Sequence, residues 1–276
     1  MSKPSRLRAR PRPRGADIPS KSAGTPDRKR RPAAARDWAA RARARLARRG
    51  FNLTGIVDAR RFDGTAPPGQ RLRDLLPEAR SALVIAAGGR ALWKALTRAH
   101  SPGAANRSAA RSDPDPIDRF TESVVSAEVS RFGAAFPRAR LRPLYPFGNE
   151  AAPVSFIRLA EEAGLGTADT VLRLLLHPEY GPWVSLRACL LSDVDLLPTG
   201  RLEAFRPCEG CARPCLEVCP VTALSPDGWD HVACFAYRAE AEHCLEGCAP
   251  RLACPVGRTH HPGPDEMRHR QLAALR

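Results

Sequence analysis

The chain has 276 residues, 43% of them hydrophobic, which is enough for one large core or two smaller ones. It contains no run of about 18 apolar residues, which excludes a transmembrane helix, and no apolar stretch typical of a secretory signal. We therefore expect a cytoplasmic protein, in which clustered cysteines bind metal or do redox chemistry more often than they form disulfides.

The net charge of +15 is concentrated near the N-terminus. Residues 1–50 hold 17 Lys and Arg and 3 Asp and Glu, whereas the remaining residues hold 27 and 26. Segment 1–36 is rich in Pro, Ser and Arg, so we expect a disordered basic tail or a start codon assigned too early. The alternative is an arm that binds polyanions such as tRNA through phosphate contacts, and a transit peptide ranks last.

Two helices and two strands are predicted between Asp37 and residue 100. Asp37 is a candidate N-cap for the helix WAARARARLARR, which Gly50 ends. The run FNLTGIVDA predicts a strand, and the short continuous apolar run SALVIAA predicts a buried one. The segment RALWKALTRA, directly after the second strand, predicts a helix.

A long amphipathic helix is predicted to begin at Asp115, because Pro116 then occupies the favoured first helical position. Extended chain (LRPLYPFGNE) and a further helix (PVSFIRLAEEAGLG) follow, and Gly164 is expected to end that helix. The long helix places four apolar side chains on one face, namely Ile117, Phe120, Val124 and Phe132.

Two strands, TVLRLLL and WVSLRACLL, are predicted to form a hairpin around HPEYGP. Alternation along the second strand predicts that Trp183, Ser185, Arg187 and Cys189 share one face. Cys189 stands apart from the other cysteines, and we expect a small buried hydrophobic side chain.

Eight of the nine cysteines lie between residues 208 and 254, in two groups that each end in Cys-Pro. The first group, CEGCARPCLEVCP, has the spacing C-x2-C-x3-C-x3-C-P, one residue longer than the C-x2-C-x2-C-x3-C-P run of bacterial two-cluster ferredoxins. The second has the spacing C-x3-C-x5-C-P, with a further cysteine ten residues upstream. The groups are Cys208, Cys211, Cys215 and Cys219, and Cys234, Cys244, Cys248 and Cys254.

The pattern suits [4Fe–4S] clusters, because three close thiolates wrap one cluster and a distant fourth closes the fold around it. In the ferredoxins the fourth cysteine ligates the other cluster. We therefore assign Cys254 to the cluster of the first group and Cys219 to that of the second. Zinc is one alternative, although only Cys208 and Cys211 form the close pair that it prefers. Disulfides are the other, and whether both clusters form stays open.

The AGLG at the end of a helix, the segment HPEYGPWVSLRACLL and the cysteine groups together resemble epoxyqueuosine reductases and reductive dehalogenases, over roughly residues 38–257. This resemblance implies an α+β fold, in which a nitroreductase-like α/β sandwich (37–200) that binds a corrinoid precedes a ferredoxin-like 2[4Fe–4S] domain (201–258). Segment 259–276 is expected to be a tail with a short helix. The segment HPEYGPW-SLR is also similar to the cobalamin-processing family that removes the upper ligand of vitamin B12.

The resemblance implies roles for residues outside the cysteine groups. An aspartate taken as a proton donor in epoxyqueuosine reductases falls at or near Glu150, for which a surface glutamate is the alternative. His177, Tyr180, Trp183 and Arg187 are implied to line the corrinoid pocket. The alternatives are a turn-capping His177, a Trp183 in the core, and an Arg187 paired with an acid.

The function implied is a reductase that passes electrons from two [4Fe–4S] clusters to a bound cobalamin. Its electron donor would be of the ferredoxin or flavodoxin type, and no membrane partner is expected. The continuation GLGTADT departs from the GLGW-GK of epoxyqueuosine reductases. Two other functions stay open: a cobalamin-processing binding protein, and a ferredoxin-like electron carrier without a substrate of its own.

Overall fold

The computed structural model describes residues 30–100, 115–147 and 153–273. The chain is a mixed α+β protein, as predicted, with one small antiparallel sheet. Its strands are β1 (Leu53–Asp58), β2 (Ser81–Gly88), β3 (Leu141–Leu144) and β4 (Val184–Ser192). Its helices are α1 (Arg30–Arg48), α2 (Ala59–Asp63), α3 (Leu72–Leu75), α4 (Ala91–Ala99), α5 (Pro116–Ala135), α6 (Phe156–Glu162), α7 (His231–Glu240), α8 (Glu242–Glu246), α9 (Ala249–Ala253) and α10 (Pro264–Ala273).

The four strands lie in the order β1-β2-β4-β3, and each neighbouring pair is antiparallel. Strand β2 is central, and every one of its residues is buried. A strand that is covered on both faces has a continuous apolar sequence rather than an alternating one. The predicted strands FNLTGIVDA and SALVIAA are confirmed, and they correspond to β1 and β2.

Helices cover both faces of the sheet. One face packs against α1, α4 and α5, where the rings of Trp38 and Phe132 meet edge to face at 5.0 Å. The predicted apolar face of α5 is confirmed, because Phe120, Val124 and Phe132 are buried in this layer and Ile117 packs against it. The other face packs against α2, α3 and α6. The sheet is thus the middle layer of three.

Helix α1 begins at Arg30, earlier than the predicted start after Asp37. Alanine and arginine favour a helix, and Pro32 falls in the first turn, where proline is tolerated. Asp37 therefore lies within the helix, and its carboxylate pairs with Arg41 at 2.6 Å. Ala35 is buried in the layer beside α5, which ties the earlier start of the helix to the core.

The predicted strand TVLRLLL is wrong. The segment forms turns, its backbone has a left-handed φ of +54° at Arg173, and its one ladder contact is an isolated bridge between Thr167 and Leu176. Val171, Leu172 and Leu176 are buried against the cysteine-rich part of the chain. A short apolar run shows that a segment is buried but does not by itself specify a strand.

A β-bulge at Arg187 changes the predicted faces of β4. Ile85 of β2 pairs with Ala188 and Ala86 pairs with Leu186, so Arg187 is the extra residue. The alternation reverses there, and Cys189 packs in the same layer as Leu186, not on the face of Arg187. The expected burial of Cys189 is confirmed, since the residue is fully inaccessible.

Beyond β4 the described chain consists of short helices, turns and an isolated bridge. Helix α10 packs against α8, and Met267 on α10 is buried. The ring of His269 lies 5.4 Å from that of Trp93 on α4, so this segment contacts the first half of the chain. Within the described ranges, no helix is both long and apolar enough to cross a membrane.

Candidate metal centres

One group of four thiols, here called the first quartet, consists of Cys208, Cys211, Cys215 and Cys254. Cys215 lies in the short 3-10 turn of residues 214–216, and α9, which ends just before Cys254, packs against this turn. Burial raises the pKa of Cys215 and of Cys254, and the neighbouring thiols of Cys208 and Cys211 raise the pKa of both further. The four sulfur atoms therefore lie close enough to interact.

The second quartet consists of Cys219, Cys234, Cys244 and Cys248. Cys234 lies in the first turn of α7, Cys244 lies in α8, and Cys248 directly precedes α9. Burial raises the pKa of Cys244 and Cys248, and the thiols of Cys219 and Cys234 raise the pKa of both further. The thiols that influence one another electrostatically therefore fall into the same two sets of four that the ferredoxin pattern predicts, and the assignment of each set to a cluster stays a prediction.

Backbone N–H groups point at sulfur atoms in both quartets. The N–H of Arg213 donates to Cys211 Sγ at 3.4 Å, and that of Ala223 donates to Cys219 Sγ at 3.4 Å. Similar bonds lower the pKa of Cys248 and Cys254 against the effect of burial. A donor of this kind stabilises the charged sulfur, which is the form that binds metal.

Neither a disulfide nor a site for a single metal ion is formed by the described residues. All nine cysteines are free, so the structure contains no disulfide. In the described portion, no three His, Cys, Asp or Glu side chains converge closely enough to hold one metal ion.

Two guanidinium groups flank the second quartet. The charge of Arg238 lowers the pKa of Cys244, and the charge of Arg251 lowers that of Cys248. The Nε atoms of both arginines are buried and have no hydrogen-bond partner in the described structure. Buried N–H groups without an acceptor are costly, so a site that offers them beside four thiols fits an anionic group bound there.

The turn HPEYGP contacts the cysteine-rich part of the chain. Nδ1 of His177 accepts the N–H groups of Glu179 (3.0 Å) and Tyr180 (3.3 Å), which is the turn-capping arrangement. The hydroxyl of Tyr180 accepts a hydrogen bond from Asn52 at 3.2 Å, and its ring lies 4.7 Å from that of His260. His177 and Tyr180 therefore hold the turn and its contact with the segment after Cys254.

Trp183 and Arg187 also have protein partners. Trp183 is fully buried, with the guanidinium of Arg251 4.6 Å from its ring. Arg187 forms an ion pair with Asp118, and its guanidinium lies 4.6 Å from the ring of Phe147. The core role of Trp183 and the acid pairing of Arg187 are thus the arrangements observed.

A buried ion-pair network that the sequence did not predict attaches α10 to the first half of the chain. The inaccessible carboxylate of Glu266 accepts hydrogen bonds from Arg90 (3.1 Å) and Arg270 (2.8 Å). Arg270 also donates to the carbonyl of Gly89 and the hydroxyl of Ser185. The available signals were Pro264 at a helix start and the spacing of Glu266 and Arg270 by one turn.

The structure has two cavities that the turn HPEYGP does not line. A cavity of about 220 Å³ borders Cys208 and is lined by Arg173, Arg206 and Arg213 among others. A larger one, about 1240 Å³, lies at the far end of β2 and β4, next to Arg80 and residue 193. Neither cavity is lined by the four side chains predicted to contact a corrinoid. Glu150, the predicted proton donor, lies outside the described residues.

No protein-family model and no curated protein sequence matches the chain. Its fold is similar to that of a selenomethionine-labelled epoxyqueuosine reductase, at 17% identity over 84% of this chain and 68% of that one (TM-score 0.56). The epoxyqueuosine reductase from Streptococcus thermophilus is 15% identical over 82% of this chain and 69% of that one, with a TM-score of 0.56. The epoxyqueuosine reductase from Bacillus subtilis is 18% identical over 84% of this chain and 68% of that one, with a TM-score of 0.55. The predicted resemblance in fold is confirmed.

Proposed function

We propose that the chain is an iron–sulfur redox protein in which each quartet holds one [4Fe–4S] cluster. The observation that carries this proposal is the separation of eight thiols into two interacting sets of four, with Cys254 and Cys219 exchanged between the sequence groups. Exchange of the fourth ligand is the arrangement of two-cluster ferredoxins, and a single-ion site has no need of it.

The chain's share of this function is to position eight sulfur atoms and to offer donors that oppose the effect of burial on their charge. Backbone N–H groups at Cys211 and Cys219 and the guanidiniums of Arg238 and Arg251 favour anionic sulfur. The clusters, when bound, would supply one-electron transfer. Cys215 and Cys254 are buried, and the other six cysteines of the quartets are half-buried.

Iron and acid-labile sulfide analysis of protein purified without oxygen tests the proposal. We expect about eight iron atoms per chain, four for each cluster. Cys254→Ala and Cys248→Ala should each lose about half of the iron, because each opens one quartet. Cys189→Ala makes the same substitution outside the quartets and should keep it all. A colourless preparation that contains zinc would contradict the proposal.

We infer that the protein is a reductase of the epoxyqueuosine-reductase type, supported by the similarity in fold to those enzymes. A one-electron carrier of the ferredoxin or flavodoxin class would supply electrons, and Glu150 is the proposed proton donor. Anaerobic incubation with an epoxyqueuosine-modified tRNA stem-loop and a chemical reductant, followed by mass spectrometry of the nucleosides, tests the reaction. Glu150→Gln should slow it while the iron content stays the same.

Two of the four side chains predicted to contact a corrinoid have partners within the protein. Trp183 and Arg187 are engaged by Arg251 and Asp118, and neither described cavity reaches them. This arrangement favours the second candidate, an electron carrier that holds clusters alone. Spectroscopic titration of the iron-loaded protein with cob(II)alamin separates the candidates, since a base-off spectrum requires binding and an unchanged spectrum favours the carrier.

RNA is the proposed macromolecular partner. One solved epoxyqueuosine reductase contains a modified tRNA-Tyr stem-loop, and residues 1–50 of this chain hold most of its net positive charge. Phosphate contacts predict affinity that falls steeply as salt rises. Fluorescence anisotropy with a labelled stem-loop at several salt concentrations tests this, with a variant lacking residues 1–29 as the comparison.

A further inference from the structure

We propose that the cavity of about 1240 Å³ at the far end of β2 and β4 binds the phosphate backbone of an RNA strand. This inference rests on the RNA partner proposed above, and it gives that partner a docking surface in the folded part of the chain. The cavity lies between residues 77–80, which lead into β2, residues 193–198, which follow β4, and the facing parts of α1 and the end of α5. We call it the arginine groove, because five arginines line it: Arg36, Arg60, Arg73, Arg80 and Arg138.

The arginines of the groove carry more positive charge than their protein partners offset. Arg73 pairs with the buried carboxylate of Asp63 at 2.9 Å, and Arg80 lies 3.9 Å from Asp195. The other three are exposed, and their side chains form no ion pair or hydrogen bond with any described residue; they are Arg36, Arg60 and Arg138. Three guanidinium groups therefore remain for a ligand.

The remaining acidic side chains of the groove are already engaged. Glu78 pairs with Arg140 at 2.9 Å, and the carboxylate of Asp193 accepts the backbone N–H of Arg140 at 3.0 Å. Arg140 itself does not line the groove. A concave surface with an excess of one charge attracts ligands of the opposite charge, so a ligand with several negative charges fits here.

The chemistry of the lining favours nucleotides among such ligands. The planar guanidinium group matches the geometry of a phosphate and can bind it through two parallel hydrogen bonds. Apolar side chains lie between the arginines, among them Phe136 and Leu197, and Leu197 is 68% exposed. A nucleotide offers phosphate to the cations and a sugar and base to the apolar surface, whereas an inorganic polyanion offers only charge.

The size and position of the groove favour a strand over a single small molecule. Its volume exceeds the roughly 300–1,000 Å³ that is typical of small-molecule sites. The eight residues of β2 separate it from the end of the sheet that carries the turn HPEYGP, a distance of about 25 Å at about 3.3 Å per residue. A ligand that extends from the quartets to the groove must therefore be a polymer.

The basic N-terminal segment joins the folded chain beside the groove. Residues 1–29 hold nine Lys and Arg and two Asp, α1 begins at Arg30, and Ala34 lines the groove one turn later. Segment and groove are both positively charged and repel each other, so the segment is not the occupant. A polyanion is attracted by both.

Fluorescence anisotropy of the full-length protein with a labelled, unmodified RNA stem-loop over a series of salt concentrations tests the inference. The groove variant carries Arg36→Gln, Arg60→Gln and Arg138→Gln. Loss of three phosphate contacts should reduce the slope of log affinity against log salt by about 2–3. Because the three side chains are exposed and unpaired among the described residues, the thermal unfolding temperature should stay the same.

A charge-matched control removes three cations from exposed positions outside the groove. It carries Arg48→Gln, Lys94→Gln and Arg98→Gln, and it should keep the wild-type slope. When the groove substitutions are added to the variant that lacks residues 1–29, the slope should fall again, because the groove acts independently of the segment.

The outcomes separate this inference from the proposed partner. If the wild-type protein binds RNA but the groove variant keeps its slope, or the control loses as much, the inference alone is overturned. ATP and inorganic triphosphate, added at constant ionic strength and at the phosphate concentration of the RNA, should leave the RNA bound. Displacement by either would show a site for small phosphate compounds and overturn the assignment to a strand. No binding of RNA by the wild-type protein would overturn the proposed partner and this inference together.

Discussion

The backbones of Gly181 and Val256 approach each other so closely that a Cβ atom on Gly181 would lie 2.1 Å from the carbonyl oxygen of Val256. Gly181 belongs to the turn HPEYGP, and Val256 follows Cys254-Pro. Gly257, the next residue, approaches Tyr180 in the same way, with 2.4 Å from its hypothetical Cβ to the carbonyl oxygen. The cysteine-rich part is therefore seated on the turn through main chain against main chain.

We expect Gly181→Ala to destabilise the protein by roughly 2–4 kcal/mol, because it adds both a left-handed φ of +54° and a clash with backbone. Gly133→Ala is the matched control. Gly133 lies within α5 and has open space around it, so alanine should stabilise the protein by about 0.5–1 kcal/mol. Urea unfolding of both variants measures the difference, and equal effects would show that the contact is unimportant.

Removal of the charge on Asp118 should be costly, since it leaves the half-buried guanidinium of Arg187 without its counter-ion. We expect Asp118→Asn to lower the free energy of unfolding by about 2 kcal/mol, between the costs for an exposed and a fully buried pair. Asp195→Asn breaks an exposed pair with Arg80, at 3.9 Å, and should cost under about 1 kcal/mol. A loss at Asp118 no larger than that at Asp195 would contradict this account of the bulge residue.

The network of Glu266 makes α10 part of the fold. Glu266→Gln removes an inaccessible carboxylate from between Arg90 and Arg270, so a loss of about 3–5 kcal/mol is expected. The neighbouring Asp265→Asn, on the exposed side of the same helix turn, should be nearly neutral. Hydrogen exchange should also show that α10 and the residues around Gly89 lose protection together in the first variant only.

Acid should weaken the turn at His177. Burial lowers the pKa of His177, and its Nδ1 must stay unprotonated to accept two N–H groups. As the pH falls below about 6.5 the unfolded chain takes up this proton before the folded one, so the free energy of unfolding decreases. His177→Asn keeps an acceptor that does not titrate. Unfolding curves between pH 5 and 8, taken on the iron-loaded proteins, should show a weaker pH dependence in this variant.

Cys189 should be inert. Burial raises the pKa of its thiol to about 12, so almost no thiolate exists at pH 9. Iodoacetamide should leave this cysteine unmodified in the native protein at both pH 7 and pH 9, and should modify it once guanidinium unfolds the chain. Peptide mass spectrometry gives the readout. Native modification that increases between the two pH values would contradict the burial described here.

Strands β1, β2 and β4 and the long helix α5 were predictable because each depends on local spacing. The apolar run of β2 and the periodic apolar face of α5 are local signals, and the proposed exchange of Cys254 and Cys219 rests on a motif. The turns at TVLRLLL, the bulge at Arg187 and the start of α1 depend on packing against distant segments. Their local patterns were compatible with more than one structure.

Contacts between the two halves were the least predictable part of the candidate site. The turn HPEYGP was noticed in the sequence, but its role in seating the segment after Cys254 depends on residues far along the chain. Arg251 and Arg238 carry no motif, and the burial of their Nε atoms without a hydrogen-bond partner becomes apparent only in the structure. A list of charged residues does not distinguish such arginines from those on the surface.

The interleaving of the quartets also has a temporal consequence. During synthesis, Cys208, Cys211 and Cys215 leave the ribosome first, yet their set stays open until Cys254 emerges. The second quartet is complete once Cys248 has appeared. A nascent chain can therefore complete the second quartet before the first, and Cys254, the last of the eight cysteines to be made, completes the first.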